Sequence, residues 1–224
     1  MFSLYSWSHI ATLSLAVALL WFIPKIKLKI GRSTELITTF AIFIFYILHF
    51  VYYYYINGFH PGYDMPIFQI CGIVMLNLAL FLFTKRQFFY SVVYFLGFTA
   101  TFLAFLLPDL RDDYTRPYFW IFWLPHLVIL ALVSFVTFNY KIRLSVRDLN
   151  QAFIFLLSYL FVFALPFSLM IQHCFGYANY AYMISIPYNI FGIHLEKPFY
   201  YPVVLIPTYV FFRLLLILRN KLSV

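Results

Sequence analysis

Charge is scarce in this sequence. Asp, Glu, Lys and Arg make up 10% of its 224 residues, against about 25% in soluble domains. Apolar types make up 65% and aromatics 24%. A water-soluble fold of this size has too little interior to hide that surface, so a soluble catalytic domain is excluded. Cysteine is equally sparse. Cys71 and Cys174 stand far apart and form no CxxC pair, so neither a disulfide framework nor a thiolate zinc site can be read from them. The histidines form no HxxxH or HxxEH pair. Imidazoles at His9, His49 and His126 therefore lack the local spacing of a metal motif, and neither metal nor cofactor is expected. Met1–Trp7 contains no Lys or Arg. The positive n-region of a cleavable signal peptide is missing, and the first apolar run reads as a retained helix. Internal repeats and low-complexity segments are lacking too.

What is present is a succession of apolar runs, at about 8–23, 36–56, 65–83, 88–107, 118–139, 150–171 and 199–218. Helices that cross a bilayer need about 20 such residues. Seven of them with their loops use up the chain. The expected fold is all-α: a polytopic membrane bundle of seven transmembrane helices, forming a single transmembrane domain over residues 1–224. Pro24 closes the first run and Pro108 the fourth. Pro166 falls inside the sixth, where a membrane helix accepts a kink if neighbours re-satisfy the backbone. In the fourth run Gly97 and Thr101, like Ala100 and Ala104, recur four residues apart. Small residues at that spacing let helices approach closely.

The formal charge is +8. On a soluble protein that would suggest nucleic acid; here the basic residues flank apolar runs, and topology accounts for them without a nucleic-acid partner. Lys25, Lys27, Lys29, Arg32, Lys85, Arg86, Lys141, Arg143, Arg147, Arg213, Arg219 and Lys221 fall on one side, twelve of the fifteen. Arg111, Arg116 and Lys197 share the other side with Asp64, Asp109, Asp112, Asp113 and Glu196. The positive-inside rule makes the first side cytoplasmic. The N-terminus is then outside, and seven crossings bring the C-terminus inside, as expected of a multi-pass protein of the cell membrane.

That topology sorts the reactive residues. Every His and both Cys fall in the outer half, with His60, His173, Cys174 and His194 in outer loops. His9 starts the first helix, and His49 lies about seven residues from the outer end of the second. Cys71 lies six residues into the third helix, roughly 9 Å deep, and His126 eight into the fifth, roughly 12 Å. If those two helices touch, the imidazole can take the thiol proton and leave a nucleophilic thiolate, on which an acyl chain can reside as a thioester. A lone thiol in apolar surroundings holds its proton, so the histidine is chemically necessary. The plainer reading makes Cys71 a small apolar filler and His126 a packing residue. Gln69 and Asn77 are further polar groups of the third helix, though Gln69 and Cys71 point about 200° apart. A disulfide between Cys71 and Cys174 requires Cys71 close to the surface. The outer loop 108–117 is either a solvated turn or a headgroup contact, with Arg111 and Arg116 as phosphate donors beside Asp109. Segment 172–198, with Asn179, Tyr180, Tyr182, Pro187 and His194, is long enough to be functional or rich enough in aromatics to be an interfacial belt.

Several of these segments, in order, carry a family resemblance. They are Ser6-Trp7-Ser8-His9-Ile10, Met65-Pro66-Ile67-Phe68-Gln69-Ile70-Cys71, Tyr94-Phe95-Leu96-Gly97, Leu107-Pro108-Asp109-Leu110, Phe122-Trp123-Leu124-Pro125-His126, and Asn179-Tyr180-Ala181-Tyr182-Met183 followed by Pro187. Nearly the whole chain resembles the YwaF-like bacterial membrane proteins, related to the transmembrane protein 164 acyltransferases. The resemblance implies a multi-helix fold. It also implies Cys71 as nucleophile and His126 as its base, since the eukaryotic relatives are similar to enzymes that move fatty acyl chains onto lysophospholipids through an acyl-Cys. Relatives often carry His two residues before the Cys, where this chain has Gln69, and a basic residue before the last Pro, where it has Ile186.

Taken together, the residues and the resemblance point to a membrane-embedded acyltransferase with a Cys71/His126 site near the outer leaflet. Gln69, His9, His49, Asp109, Arg111, Asn179 and Tyr180 are the candidate substrate-binding residues. Membrane lipids or acyl chains are the expected partners, with a membrane protein or a second copy also compatible. The alternatives are a transporter or lipid-binding subunit, and a non-catalytic assembly partner of another membrane protein. Few ionisable residues fall in the inner half of the helices, which argues against a proton-coupled path.

Overall fold

A computed structural model describes residues 6–26, 31–57, 68–108, 113–140, 142–175 and 200–222. Every element among them is helical: α1 (Trp7–Phe22), ending in a 3-10 turn (Ile23–Lys25), α2 (Arg32–Asn57), α3 (Ile70–Thr84), α4 (Gln87–Leu106), α5 (Pro117–Asn139), α6 (Val146–Ser158), a π-helical stretch (Tyr159–Ala164), α7 (Leu165–Phe175) and α8 (Tyr200–Leu222). Six helical segments are long and apolar enough to cross a membrane, with Val146–Cys174 counting as one. The remaining helix, α3, is apolar but has only 15 residues. At 1.5 Å per residue it covers about 22 Å, less than the roughly 30 Å of a hydrocarbon core.

The helices group into two compact units, α1–α5 and α6–α8. In the first, α3 packs on α2, α4 and α5, and α5 also receives α1, α2 and α4. Val74, Leu78, Phe81, Val92, Phe95, Ile129 and Val133 are almost wholly buried there. At Gly97 of α4 the helices α3 and α5 come close. A Cβ at that position would lie 2.8 Å from Val133 Cγ2 and 3.3 Å from Val74 Cγ1. The small-residue pattern of the fourth run thus has a physical use: Thr101 turns its hydroxyl back onto the Gly97 carbonyl at 2.7 Å, which leaves the contact face smooth. A second cluster of Ala16, Phe105, Phe119, Trp123 and Leu130 joins α1 to α4 and α5. Ile37, Phe40, Ile47 and Leu48 of α2 are exposed, as side chains facing lipid are.

At the lysine- and arginine-rich end of the same unit, Glu35 is buried with three partners. It pairs with Lys85 and accepts from the Tyr140 hydroxyl, and Arg32 stands 3.4 Å away. Arg32 also donates to the Leu82 and Phe83 carbonyls at 2.8 and 2.9 Å, capping orphan acceptors at the end of α3. Lys85 caps α3 in the left-handed conformation, φ 59°. Tyr140 lies just beyond α5. Burial first, and then the Glu35 carboxylate, push its phenol above the usual range.

In the second unit, α6 begins at Val146, four residues before the expected run. The reason is a capping box: the Asp148 amide donates to Ser145 Oγ, and the Ser145 amide returns to the Asp148 carboxylate at 2.8 Å. The π-helical stretch ends at Ala164, two residues before Pro166. Proline brings no N–H for the carbonyl four residues back, and the ladder adjusts so that the Leu165 amide reaches the Leu160 carbonyl five residues back. The run therefore continues as one apolar segment. Phe153 of α6 meets Tyr209 and Phe212 of α8, and Tyr209 donates to Asn150 at 3.1 Å.

Candidate functional site

Gln69, in extended conformation (φ −75°, ψ 159°), is the N-cap of α3, so Cys71 is the second residue of the helix. Sequence reading put it six residues in, on a helix starting at 65. The actual start follows from the chain geometry, because an extended N-cap residue cannot belong to the helix it opens. The correction changes the chemistry available. Cys71 now lies in the first turn, where unpaired amides and the helix dipole favour negative charge. The thiol is half-buried. Gln69, two residues earlier, is also half-buried.

His126 lies on α5 just after Pro125, a proline inside the helix. Proline removes the amide that the Ile121 carbonyl would have received and loosens that turn. The His126 ring folds back there: Nδ1 lies 2.6 Å from the Phe122 carbonyl, and the ring packs on Phe122 with centroids 4.6 Å apart. A carbonyl can only accept, so Nδ1 carries the proton and Nε2 keeps a free lone pair. Sequence reasoning made the site conditional on the third and fifth helices touching, and α3 does pack on α5.

A third helix joins them. Tyr46 of α2 donates its hydroxyl to the Cys71 carbonyl at 3.2 Å. One turn on, His49 lies edge-on to Tyr46, on a helix that also packs on α5. Phe45 stacks on His49 with centroids 6.2 Å apart. Cys71, Tyr46, His49 and His126 are all half-buried, on three helices, α3, α2 and α5, that pack on one another. Tyr46 escaped the sequence reading because nothing local separates it from the other nineteen tyrosines. Its pairing with Cys71 spans 25 positions.

His9 falls elsewhere. It is fully buried, its Nε2 lies 2.8 Å from the Phe105 carbonyl, and its ring lies 5.9 Å from that of Trp123. It ties α1 to the end of α4 and to Trp123 of α5. Asn77 is buried and donates to the Ile73 carbonyl of its own helix at 2.8 Å. Both cysteines are free, and Cys174 is exposed at the end of α7. Among the described residues no three His, Cys, Asp or Glu side chains gather as metal ligands. Asp109, Arg111, Asn179 and Tyr180 lie outside the described residues. Of the loop 108–117, residues 113–116 form a turn. The Thr115 hydroxyl and amide hold the Asp113 carboxyl below the usual carboxylate range, and the Arg116 amide closes on the Asp113 carbonyl at 3.0 Å.

A model of the TMEM164 family matches residues 4–218, nearly the whole chain. The chain belongs to the TMEM164 family. With six long apolar helices it is a multi-pass membrane protein. A protein of Treponema pallidum (strain Nichols), itself described as uncharacterized, is 33% identical over 89 residues. That stretch is 40% of this chain and 37% of the Treponema protein. No solved structure matches.

Proposed function

We propose that this family member is a membrane-embedded acyltransferase that moves fatty acyl chains to or between lipids through Cys71. The observation that carries the reading is the tautomer of His126. Its Nδ1 proton is committed to the Phe122 carbonyl, which leaves Nε2 basic on a helix packed against the one that bears the thiol. His126 Nε2 takes the Cys71 proton, and the thiolate adds to the carbonyl carbon of an ester-linked acyl chain. The tetrahedral intermediate collapses to a thioester, and His126 returns the proton to the departing alkoxide. An acceptor hydroxyl then reverses the steps. The first-turn amides of α3 are suited to stabilising the charge that develops.

The site belongs near the outer leaflet of the cell membrane. α3 is shorter than the hydrocarbon core is thick and ends at Lys85 and Arg86, residues that favour the cytoplasmic face. Its other end then lies roughly 8 Å inside the hydrocarbon, at a depth where an acyl ester and a thiol share one medium. The shortness of α3 thus gives Cys71 a depth close to that inferred from the sequence, for a different reason. The remaining crossings are supplied by the six long helices, seven in all, N-terminus out and C-terminus in.

The test is covalent. Cells expressing the chain are fed an alkyne-tagged fatty acid, which enters the ester lipids at large. The purified protein is expected to carry the tag and to release it in neutral hydroxylamine. Cys174→Ser should load normally and Cys71→Ser not at all. Full loading of the folded Cys71→Ser protein ends the assignment.

A further inference from the structure

We infer that Tyr46 is a positioning residue for the nucleophile: its hydroxyl holds the Cys71 backbone and so aims the thiol across the α2–α3–α5 junction. The inference rests on the acyl-transfer reading and extends it to a residue on a helix that carries neither reacting group.

A helix carbonyl already has a partner in the amide four residues on. It keeps a second lone pair, which inside a helix is normally left unused. Here the second lone pair of the Cys71 carbonyl receives the Tyr46 hydroxyl at 3.2 Å. The contact falls on the first turn of α3, whose four leading amides have no partners within the helix and which is the turn most able to fray. A tether placed at that carbonyl restrains the peptide that carries the thiol. The Tyr46 ring is itself held, edge-on to Phe45 at 6.0 Å and to His49 at 6.5 Å. One turn of α2 thus holds the nucleophile's backbone through Tyr46, and α2 also packs on α5, the helix that bears the base. The arrangement suits a step in which sulfur and imidazole must meet, because misplacement by about 1 Å costs rate steeply.

Tyr46→Phe removes one oxygen and keeps the ring. The probe is an alkyne-tagged palmitoyl p-nitrophenyl ester in detergent micelles, an activated donor that does not depend on any particular headgroup. Initial loading of the full chain is expected to fall about three- to tenfold in Tyr46→Phe, the size of effect one hydrogen bond supplies. The half-saturating ester concentration should stay unchanged. Loading at the original rate, or a loss confined to half-saturation, overturns the proposal. Cys71→Ser runs alongside: if it loads like the parent, the acyl-transfer reading fails and takes this proposal with it. If only Tyr46→Phe is unaffected, the reading survives and the proposal falls. Should Tyr46→Phe fail to fold, the hydrogen bond is measured in the Cys174→Ser protein with a carbon-13 label on the remaining cysteine carbonyl. A doubly bonded carbonyl absorbs below the frequency of a singly bonded helical one, and a band at the singly bonded frequency also overturns it.

Discussion

A histidine whose Nδ1 proton is fixed on a backbone carbonyl has one basic nitrogen left, and which side it faces decides what it can do. His126 and His9 make the contrast within one chain. His126 donates from Nδ1 to Phe122 and is half-buried at the junction of three helices. His9 uses Nε2 on Phe105 and is sealed from solvent. Replacing His126 by Gln should therefore lower Cys71 loading by about a hundredfold or more, the usual value of a general base, with little effect on melting temperature. His9→Phe should do the reverse. It loses the Phe105 contact and melts earlier, while the surviving folded protein loads at nearly the parent rate. Rates per folded molecule, read from loading against a fluorescence-detected size-exclusion peak, separate the two. Equal losses of loading in both variants would remove the distinction drawn between them. Residue type made Cys71 and His126 visible in the sequence, since thiols and imidazoles are rare among so many Phe and Leu. Tyr46 was invisible for the opposite reason: its role comes from a partner on another helix, and its type is common in this chain.

Among the elements, α3 carries most of the consequence. Its apolar run was legible, but its beginning was not, because Met65, Ile67 and Phe68 are as apolar as the helix that follows. Only the extended Gln69 backbone marks the boundary, and it moves Cys71 from the interior of a helix to its first turn. The start of α6 was readable, by contrast, from Ser145 and Asp148 three apart, a capping pattern outweighed by hydropathy. The other end of α3 is held by Glu35, Lys85, Arg32 and Tyr140, which join α2, α3 and the end of α5. Sequence gave the charges a topological meaning but could not pair them across 50 and 105 positions. Glu35→Gln should destabilise the purified protein by about 1–3 kcal/mol, since a buried charge-assisted acceptor is lost and its partners are left short. A melting temperature equal to the parent's would show that the cluster adds nothing. Gly97→Leu should act from the opposite cause. The first added atom already meets Val133 at 2.8 Å, so overpacking should cost about 1–3 kcal/mol. Paired with Val133→Ala, which opens the same space, the loss should be partly recovered. Purely additive losses would argue that Gly97 is not the contact that sets the spacing of α3, α4 and α5.

At the scale of the whole molecule the prediction is orientation. Six helices have the length and composition to cross, and α3 makes the seventh crossing only if the chain entering it makes up the depth that its 15 residues leave. Charge decides between the possible arrangements. Twelve of fifteen Lys and Arg follow a single alternation along the chain, and each basic residue resists transfer through the membrane during insertion. A chain with six crossings would put its two termini on the same side. The C-terminal end, with Arg213, Arg219 and Lys221, would then share a face with residues 1–6, and the alternation would break at α3. With seven crossings the alternation runs unbroken, N-terminus out and C-terminus in. The short α3 is accommodated because Lys85 and Arg86 can anchor one end at the cytoplasmic interface while Cys71 stays below the outer one. A Cys-less background, Cys71→Ser with Cys174→Ser, allows single cysteines to be placed at Ser3, Ser33, Thr115, Ser145 and Ser223 in turn. A membrane-impermeant maleimide on intact cells should label the Ser3 and Thr115 positions. The Ser33, Ser145 and Ser223 positions should react only after permeabilisation. Labelling at 33 before permeabilisation would invert the whole assignment. Thr115 and Ser145 flank α5, so protection of both would break the count at that helix. Labelling at 3, 145 and 223, with protection at 33 and 115, would place an even number of crossings in the chain and make α3 re-entrant, with Lys85 and Arg86 on the outer face.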